Sequence, residues 1–156
     1  MNAGKFGEND LKAATNLQIG AAVNPNVEGQ VERLKEKIAA GVQFIQTQPI
    51  FSRAKFDQFL TELKKERVEI PILFGMMPLK NVKVAEFFNN SVPGVEIPPS
   101  VLAQLRDDPE VGVRLSLELF REIKEEIDGI HLMPLGNHAA TQKIYQEFKK
   151  NIPKND

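Results

Sequence analysis

Cysteine is absent from the 156-residue chain, and histidine occurs only twice. Without a thiol there is no disulfide framework, no Cys-ligated zinc, no iron–sulfur cluster and no thiol nucleophile. Two histidines make a His-rich metal site a poor expectation. Net charge is scarce as well: 20 Lys and Arg against 21 Asp and Glu leave −1. No global field therefore steers the chain onto nucleic acid or an anionic membrane. No apolar run approaches the roughly 20 residues of a spanning helix. Met1 to Asn16 lacks the charged-then-apolar layout of a signal peptide, so the chain reads as cytoplasmic. What remains is ordinary: 42% hydrophobic and 26% charged residues, enough for one real core in a chain of single-domain length.

Short apolar runs alternate with amphipathic helical patterns. Leu17 to Val23 reads as a strand ending at Asn24-Pro25. A helix follows, with Val27, Val31, Leu34 and Ile38 on one face and Gly41 as its C-terminal cap. Val42 to Gln48 is a second strand, stopped by Pro49. Ser52 then caps a helix that buries Phe56, Phe59, Leu60 and Leu63. Ile70 to Phe74 is a third strand, followed by a short helix carrying Val84, Phe87 and Phe88. Next come a turn-rich loop, Ser91 to Pro99, and helical stretches around Val101–Leu105 and Val113–Ile127. Gly129 to Met133 is the fourth apolar run. A last helix, roughly His138 to Lys149, buries Ala140, Ile144 and Phe148. Residues 1–16 read as an irregular lead-in and 152–156 as a frayed tail.

Each of the four units runs strand, proline, loop, helix, with Pro25, Pro49, Pro78 and Pro134 at the carboxyl ends of the strands, where a missing amide proton ends a ladder. Such repetition predicts an α/β fold with a parallel sheet and helical crossovers, a pattern that barrels and open sheets share. Ligands in such folds bind outside the carboxyl ends of the strands. Asn24, Gln46, Gln48, Met76, Met77 and Met133 to Asn137 occupy those ends. Alternation places Phe44, Gln46 and Gln48 on one face of the second strand, with Ile45 and Thr47 on the other. Two amides on a buried-looking strand need partners, because an unpaired buried polar group costs about 1–3 kcal/mol. Gln48 either projects into a pocket above the sheet or satisfies loop backbone groups.

Other polar residues have structural explanations. His131 lies inside a strand and is expected to be a hydrogen-bonded core residue rather than a base. His138 opens a helix. Lys35 and Lys37 sit at a helix end that favours cations, and Glu122, Glu125 and Glu126 form a wet helix face. Phe87 and Phe88 are adjacent and cannot both face one core, so one of them covers a ligand or seals a loop. No Gly-rich phosphate loop, Ser/His/Asp order or strand-end carboxylate stands out.

The ordered series Ile19-Gly20-Ala21-Ala22-Val23-Asn24-Pro25, Leu34-Lys35-Glu36-Lys37 with Ala40-Gly41, Phe44-Ile45-Gln46-Thr47-Gln48-Pro49, Gly75-Met76-Met77-Pro78-Leu79, Val92-Pro93-Gly94-Val95 and Gly129-Ile130-His131-Leu132 resembles methylenetetrahydrofolate reductase. The likeness runs from about Gln18 to Phe148 and is to a bacterial branch that includes fusions to a homocysteine methyltransferase. It implies a (β/α)8 TIM barrel of which this chain supplies the last four βα units, since a whole barrel needs roughly 250 residues. Met1-Asn2-Ala3-Gly4 likewise resembles internal family sequence. The implied function is folate and FAD binding within an enzyme of one-carbon metabolism and methionine biosynthesis, which reduces 5,10-methylenetetrahydrofolate to 5-methyltetrahydrofolate.

By the same resemblance, Gln48 hydrogen-bonds the folate pterin and Phe88 packs on the folate, leaving Phe87 as the core residue. Ala22 and Asn24 match the loop beside the flavin, where many relatives have tyrosine in place of Asn24. Lys37 matches a basic residue reaching the FAD phosphates, with Arg33 assisting from one turn earlier. Val84 and Asn137 depart from a glutamine and an arginine that relatives often use for folate. The family's catalytic glutamate, on the first strand of the barrel, has no counterpart here, so the chain alone is expected to be inactive. Unpaired terminal strands imply an oligomer, either by self-association or with an N-terminal half of the barrel. The alternatives are a pterin- or corrinoid-linked methyltransferase barrel fragment without flavin and a non-catalytic binding or assembly subunit.

Overall fold

The computed structural model describes residues 3–108 and 110–151, so the tail expected at 152–156 lies outside the described residues. The lead-in is not wholly irregular. It carries a small antiparallel hairpin, β1 (Lys5–Phe6) against β2 (Asn9–Asp10). Gly7 supplies the positive φ of its two-residue turn, and the Leu11 N–H closes the base by donating to the Gly4 carbonyl at 2.7 Å.

The strand–helix units follow: β3 (Gly20–Val23), α1 (Gln30–Ala39), β4 (Phe44–Pro49), α2 (Arg53–Lys65), β5 (Ile72–Met76), α3 (Val82–Ser91), α4 (Pro99–Asp107), α5 (Val111–Ile123) with a 3-10 turn at Lys124–Glu126, β6 (Gly129–Leu132) and α6 (His138–Asn151). The expected α/β parallel fold is present: β3, β4, β5 and β6 lie side by side in chain order, every pair parallel.

Local chemistry sets most boundaries. The Ser52 side chain accepts from the Lys55 N–H at 3.4 Å and starts α2. Gly41, at φ 101, ends α1 in a Schellman arrangement. There the Gly41 N–H donates to Ile38 and the Val42 N–H to Lys37. Arg67, with a positive φ, ends α2 in the same way through Val68 and Leu63.

Several boundaries differ from expectation. β3 begins only at Gly20; Leu17 and Ile19 are exposed, and Ile19 bonds to Gln43 just ahead of β4, its N–H meeting the Gln43 side chain instead of a strand carbonyl. Val27 lies outside α1 and is exposed, so the buried stripe starts at Val31. β5 is shifted two residues later than the apolar run suggests. The Asp128 carboxylate accepts from the Ile72 N–H at 2.9 Å and fixes where the ladder begins.

The helices cover one face of the sheet. Val23, Ile45, Ile72 and Phe74 point into it and meet Val31, Leu34, Phe56, Phe59 and Leu63 from α1 and α2. Phe74 is clasped by Phe56 and Phe59, with ring centroids 4.7 and 6.3 Å away. Burial of one such side chain contributes about 1.5–3 kcal/mol. Met76, Ile130 and Leu132 extend this layer to Phe120 and Ile144. A second apolar cluster, including Met77, Leu79, Val95, Ile97 and Val111, joins α3, α4 and α5 to the loop before α4. Gly112 lets the α5 backbone rest on the Leu79 carbonyl, where an added Cβ would collide.

Candidate functional site

The other face of the sheet is open. It carries Gly20 and Ala22 from β3, Phe44, Gln46 and Gln48 from β4, Leu73 and Gly75 from β5, and Gly129 and His131 from β6. Gly20, Ala22 and Gln48 are exposed, and Phe44, Gln46, Leu73 and His131 are partly so. None of these side chains belongs to a core cluster. The segregation of the two glutamines from Ile45 and Thr47 is as the alternation predicts.

At its carboxyl end β4 bulges. Gln46 pairs with Leu73, but Pro49 pairs with Gly75, three residues against two. Thr47 makes this possible: its buried Oγ1 accepts from the Gly75 N–H at 2.8 Å in place of a strand carbonyl. Beyond it the Ile50 N–H donates to the Gly75 carbonyl at 3.3 Å. Gly75 must be glycine, since a Cβ there would strike the Thr47 carbonyl and approach the Met133 Cε to 2.7 Å. The result is an exposed Gln48 whose amide makes no side-chain hydrogen bond among the described residues. Of its two expected roles, satisfying loop backbone groups is therefore not what it does.

The loop after β3 closes over this end. The Asn24 side chain accepts from the Asn26 N–H at 3.0 Å, and its amide lies where a Cβ on Gly94 would stand. Asn26 donates to the Gly94 carbonyl at 2.9 Å and to the Pro49 carbonyl at 3.4 Å. Val92 to Val95 form the turn that receives it, with the Val95 N–H on the Val92 carbonyl at 3.2 Å. Pro93 and Gly94, at φ 77, take the two central positions.

The residues expected near a flavin lie along β3 and α1. Ala22 faces outward and is exposed. Lys37 is half-buried, and its ammonium donates to the Ala22 carbonyl at 2.6 Å. That carbonyl is on the edge of β3 away from β4, because the Ile19 carbonyl already faces β4 by accepting from Gln43 and successive carbonyls alternate. Arg33, one turn earlier on the same face of α1, is exposed and makes no side-chain hydrogen bond or ion pair among the described residues.

Of the two phenylalanines of α3, Phe87 is not where it was expected. Phe87 is 59% exposed and is not a core residue. Phe88 is partly buried against the second cluster, beside which Met133 also packs. The reason is helical phase: Ala85, fully buried, and Phe88 are three apart on the inward stripe, and Phe87 falls off it. Val84, one turn before Phe88, is half-buried. Asn137 caps α6 by accepting from the Ala140 N–H at 3.3 Å. His131 differs as well: instead of being hydrogen-bonded, its Nδ1 is buried with no partner.

Charge is concentrated away from this face, on the helices. The Lys35 ammonium, 2.9 Å from Glu66, holds that carboxyl below its ordinary range. Arg121, then Lys150, does the same for Glu147. Arg53 is raised, chiefly by its bond to Glu126. Among the described residues no three potential ligands converge on a metal site, and no helix is long and apolar enough to cross a membrane. A cavity of about 20 Å³ lies on the helix side, between the end of β5 and α5. It has room for about one water and none for a cofactor.

Sequence reasoning assigned no role to Thr47 or Asn26, although they shape this end of the sheet, whereas Met133 was among its strand-end candidates. A lone threonine on the apolar face of a strand was the available signal for Thr47. For Asn26 there was none, since its partners lie far along the chain.

A family model described as methylenetetrahydrofolate reductase matches residues 18–149. Methylenetetrahydrofolate reductase 2 of Saccharomyces cerevisiae is 26% identical over 135 residues, covering 80% of this chain and 22% of that protein. Methylenetetrahydrofolate reductase (NADH) 1 of Arabidopsis thaliana is 26% identical over 125 residues, covering 74% and 21%. The chain thus spans about a fifth of the length of these relatives. A solved structure of an uncharacterized protein from Clostridium thermocellum, described as binding two copies of 5-methyl-5,6,7,8-tetrahydrofolic acid, shares the fold with a TM-score of 0.63. It is 20% identical, and the match covers 85% of this chain and 54% of that one. With the match spanning both the open sheet face and the loops above it, the chain belongs to the methylenetetrahydrofolate reductase family.

Proposed function

We propose that this chain is the folate- and FAD-binding half of a flavin-dependent methylenetetrahydrofolate reductase, an oxidoreductase. Its four βα units form one half of a (β/α)8 barrel whose interior is the open sheet face. The observation that carries this reading is Gln48: an exposed amide, raised by the β4 bulge, with donor and acceptor both free at the carboxyl end of the sheet. A pterin presents complementary donors and acceptors along one edge. Phe88, half-buried on α3, offers an aromatic surface for the rest of the folate.

The residues along β3 and α1 fit one side of a flavin site. Gly20 and Ala22 are exposed there, with the Phe44 ring lying against Gly20, and Arg33 and Lys37 line the adjacent helix with two cations. Arg33 is free to meet phosphate. Lys37 has three donors, of which the Ala22 carbonyl uses one. Asn24 contributes by holding the loop in shape. Bound flavin supplies the hydride chemistry, while these residues bind and orient. By the family resemblance the catalytic glutamate of the first barrel strand has no counterpart in this chain, and we expect it to be inactive alone. The free edges of β3 and β6 call for a partner, either an N-terminal half or a second copy.

A second reading has an observation in its favour. The engaged Lys37 suits a site that takes a pterin without flavin, as in a methyltransferase barrel fragment or a non-catalytic binding subunit. Titration with FAD, followed by flavin fluorescence with light scattering on the same sample, separates the two. Saturable quenching supports the reductase reading, and its absence alongside folate binding supports the second. Titration with 5-methyltetrahydrofolate tests the folate site. Gln48→Leu is expected to weaken binding about 10-fold or more and leave the melting temperature nearly unchanged; equal binding by the variant refutes the assignment.

A further inference from the structure

His131 has no assigned work, yet among the described residues it holds the buried side-chain polar atom left without a hydrogen-bond partner, Nδ1. Its ring stands on the open face of β6, level with Gly75 by register. Gly75 in turn pairs with Pro49 at the bulge that lifts Gln48. Gln48 and His131 therefore flank the buried Gly75 from strands two spacings apart, roughly 10 Å. The Met133 methyl, 2.7 Å from where a Gly75 Cβ would lie, and the Thr47–Gln48 backbone of the bulge fill the space over Gly75 and floor the gap. Such a filled floor with one polar side chain on each side suits a planar heterocycle with hydrogen-bonding atoms at both ends.

The two ring nitrogens differ. Nδ1 is sealed and meets neither donor nor acceptor, whereas Nε2 is neither sealed nor bonded within the chain. A buried N–H without an acceptor is the rarer and costlier of the unsatisfied states. The ring proton therefore sits on Nε2, where an incoming group can reach it.

We propose that His131 is a further folate-contacting residue, its Nε2–H donating to the pterin ring of a reduced folate that Gln48 holds from the opposite side. This rests on the folate reading given above. No other described polar side chain shares this row of the sheet on the β6 side, so its loss has no substitute.

The test uses the full chain, isotopically labelled, with 5-methyltetrahydrofolate as the probe. Multiple-bond nitrogen–proton spectra of the free chain are expected to show the His131 proton on Nε2, and titration is expected to shift that nitrogen saturably. His131→Leu should weaken binding about 10-fold with the melting temperature unchanged or raised, since it removes an unpartnered buried atom. His131→Gln, whose amide nitrogen reaches about as far as Nε2, should bind to within about 3-fold of the parent. A parent that binds while His131→Leu binds equally well, or a proton found on Nδ1, overturns the His131 assignment and leaves the folate reading standing. No saturable binding by the parent overturns both. If His131→Leu fails to fold, the shift of the His131 nitrogen in the parent decides.

Discussion

The two faces of one sheet are built on the same four strands and share every backbone hydrogen bond, yet they are made of different material. The covered face presents Val23, Ile45, Ile72, Phe74 and Met76, each buried. The open face presents three glycines and an alanine where large residues would fit a core, together with Gln46, Gln48 and His131. Leu73 and Phe74 are neighbours in sequence and belong to opposite worlds. The lesson is a division of labour: one face earns the fold its stability, and the other is kept small, polar and accessible. Hydrophobic content alone would not separate them, since Phe44 and Leu73 sit on the open side.

The sharpest way to break that comparison is at this neighbouring pair. Phe74→Ala should cost about 3–5 kcal/mol, a large share of the stability of a domain of this size. Leu73→Ala, on the open face, should cost about 1 kcal/mol or less. Comparable losses at the two positions, measured by urea unfolding, would mean that both faces are packed. The next effect in size is at Thr47. Thr47→Val keeps the shape and removes the acceptor for the Gly75 N–H, and should cost about 1–3 kcal/mol. Because the bulge relaxes with it, folate binding through Gln48 should weaken as well. A valine variant with native stability and binding would show that the bulge does not depend on the hydroxyl.

The smallest effect is electrostatic and lies on the helices. Glu66 and Glu147 are held below their ordinary range by Lys35 and by Arg121 with Lys150. Each depressed carboxyl contributes stability that is present above its unfolded value and lost as pH falls through the folded one. The melting temperature should therefore decline as pH drops through and below the ordinary glutamate range, and the decline should flatten in high salt. Lys35→Gln should remove part of that slope without altering ligand binding. An unchanged slope would show that this pair contributes nothing to acid sensitivity.

Features decided within a few residues were legible in the sequence. Ser52 with its apolar stripe, Gly41 after α1 and the alternation in β4 all act through near neighbours, and each appears as expected. What depended on distant partners was not. Asp128 sets the start of β5 from 56 residues away. Phe87 and Phe88 could be sorted only once the loop before α4 had packed on α3, and the adjacency that flagged them could not say which was inward. The β1–β2 hairpin escaped because two-residue strands carry no periodicity to detect. His131 read as core because it sits in an apolar run; that its strand has one bare face is a property of the sheet. For the site, the strand-end position of Gln48 was legible, but the bulge that exposes it depends on the Thr47–Gly75 bond between strands.

The Lys37 bond to the Ala22 carbonyl has a meaning beyond any ligand. An unpaired strand edge recruits other strands indiscriminately, and repeated recruitment ends in fibres. Here the outward carbonyl in the middle of that edge is already occupied, and by a charge that an added strand would have to bury or displace. A neighbour bringing a carboxylate to this point would meet an attractive charge, and an identical edge bearing its own lysine a repulsive one.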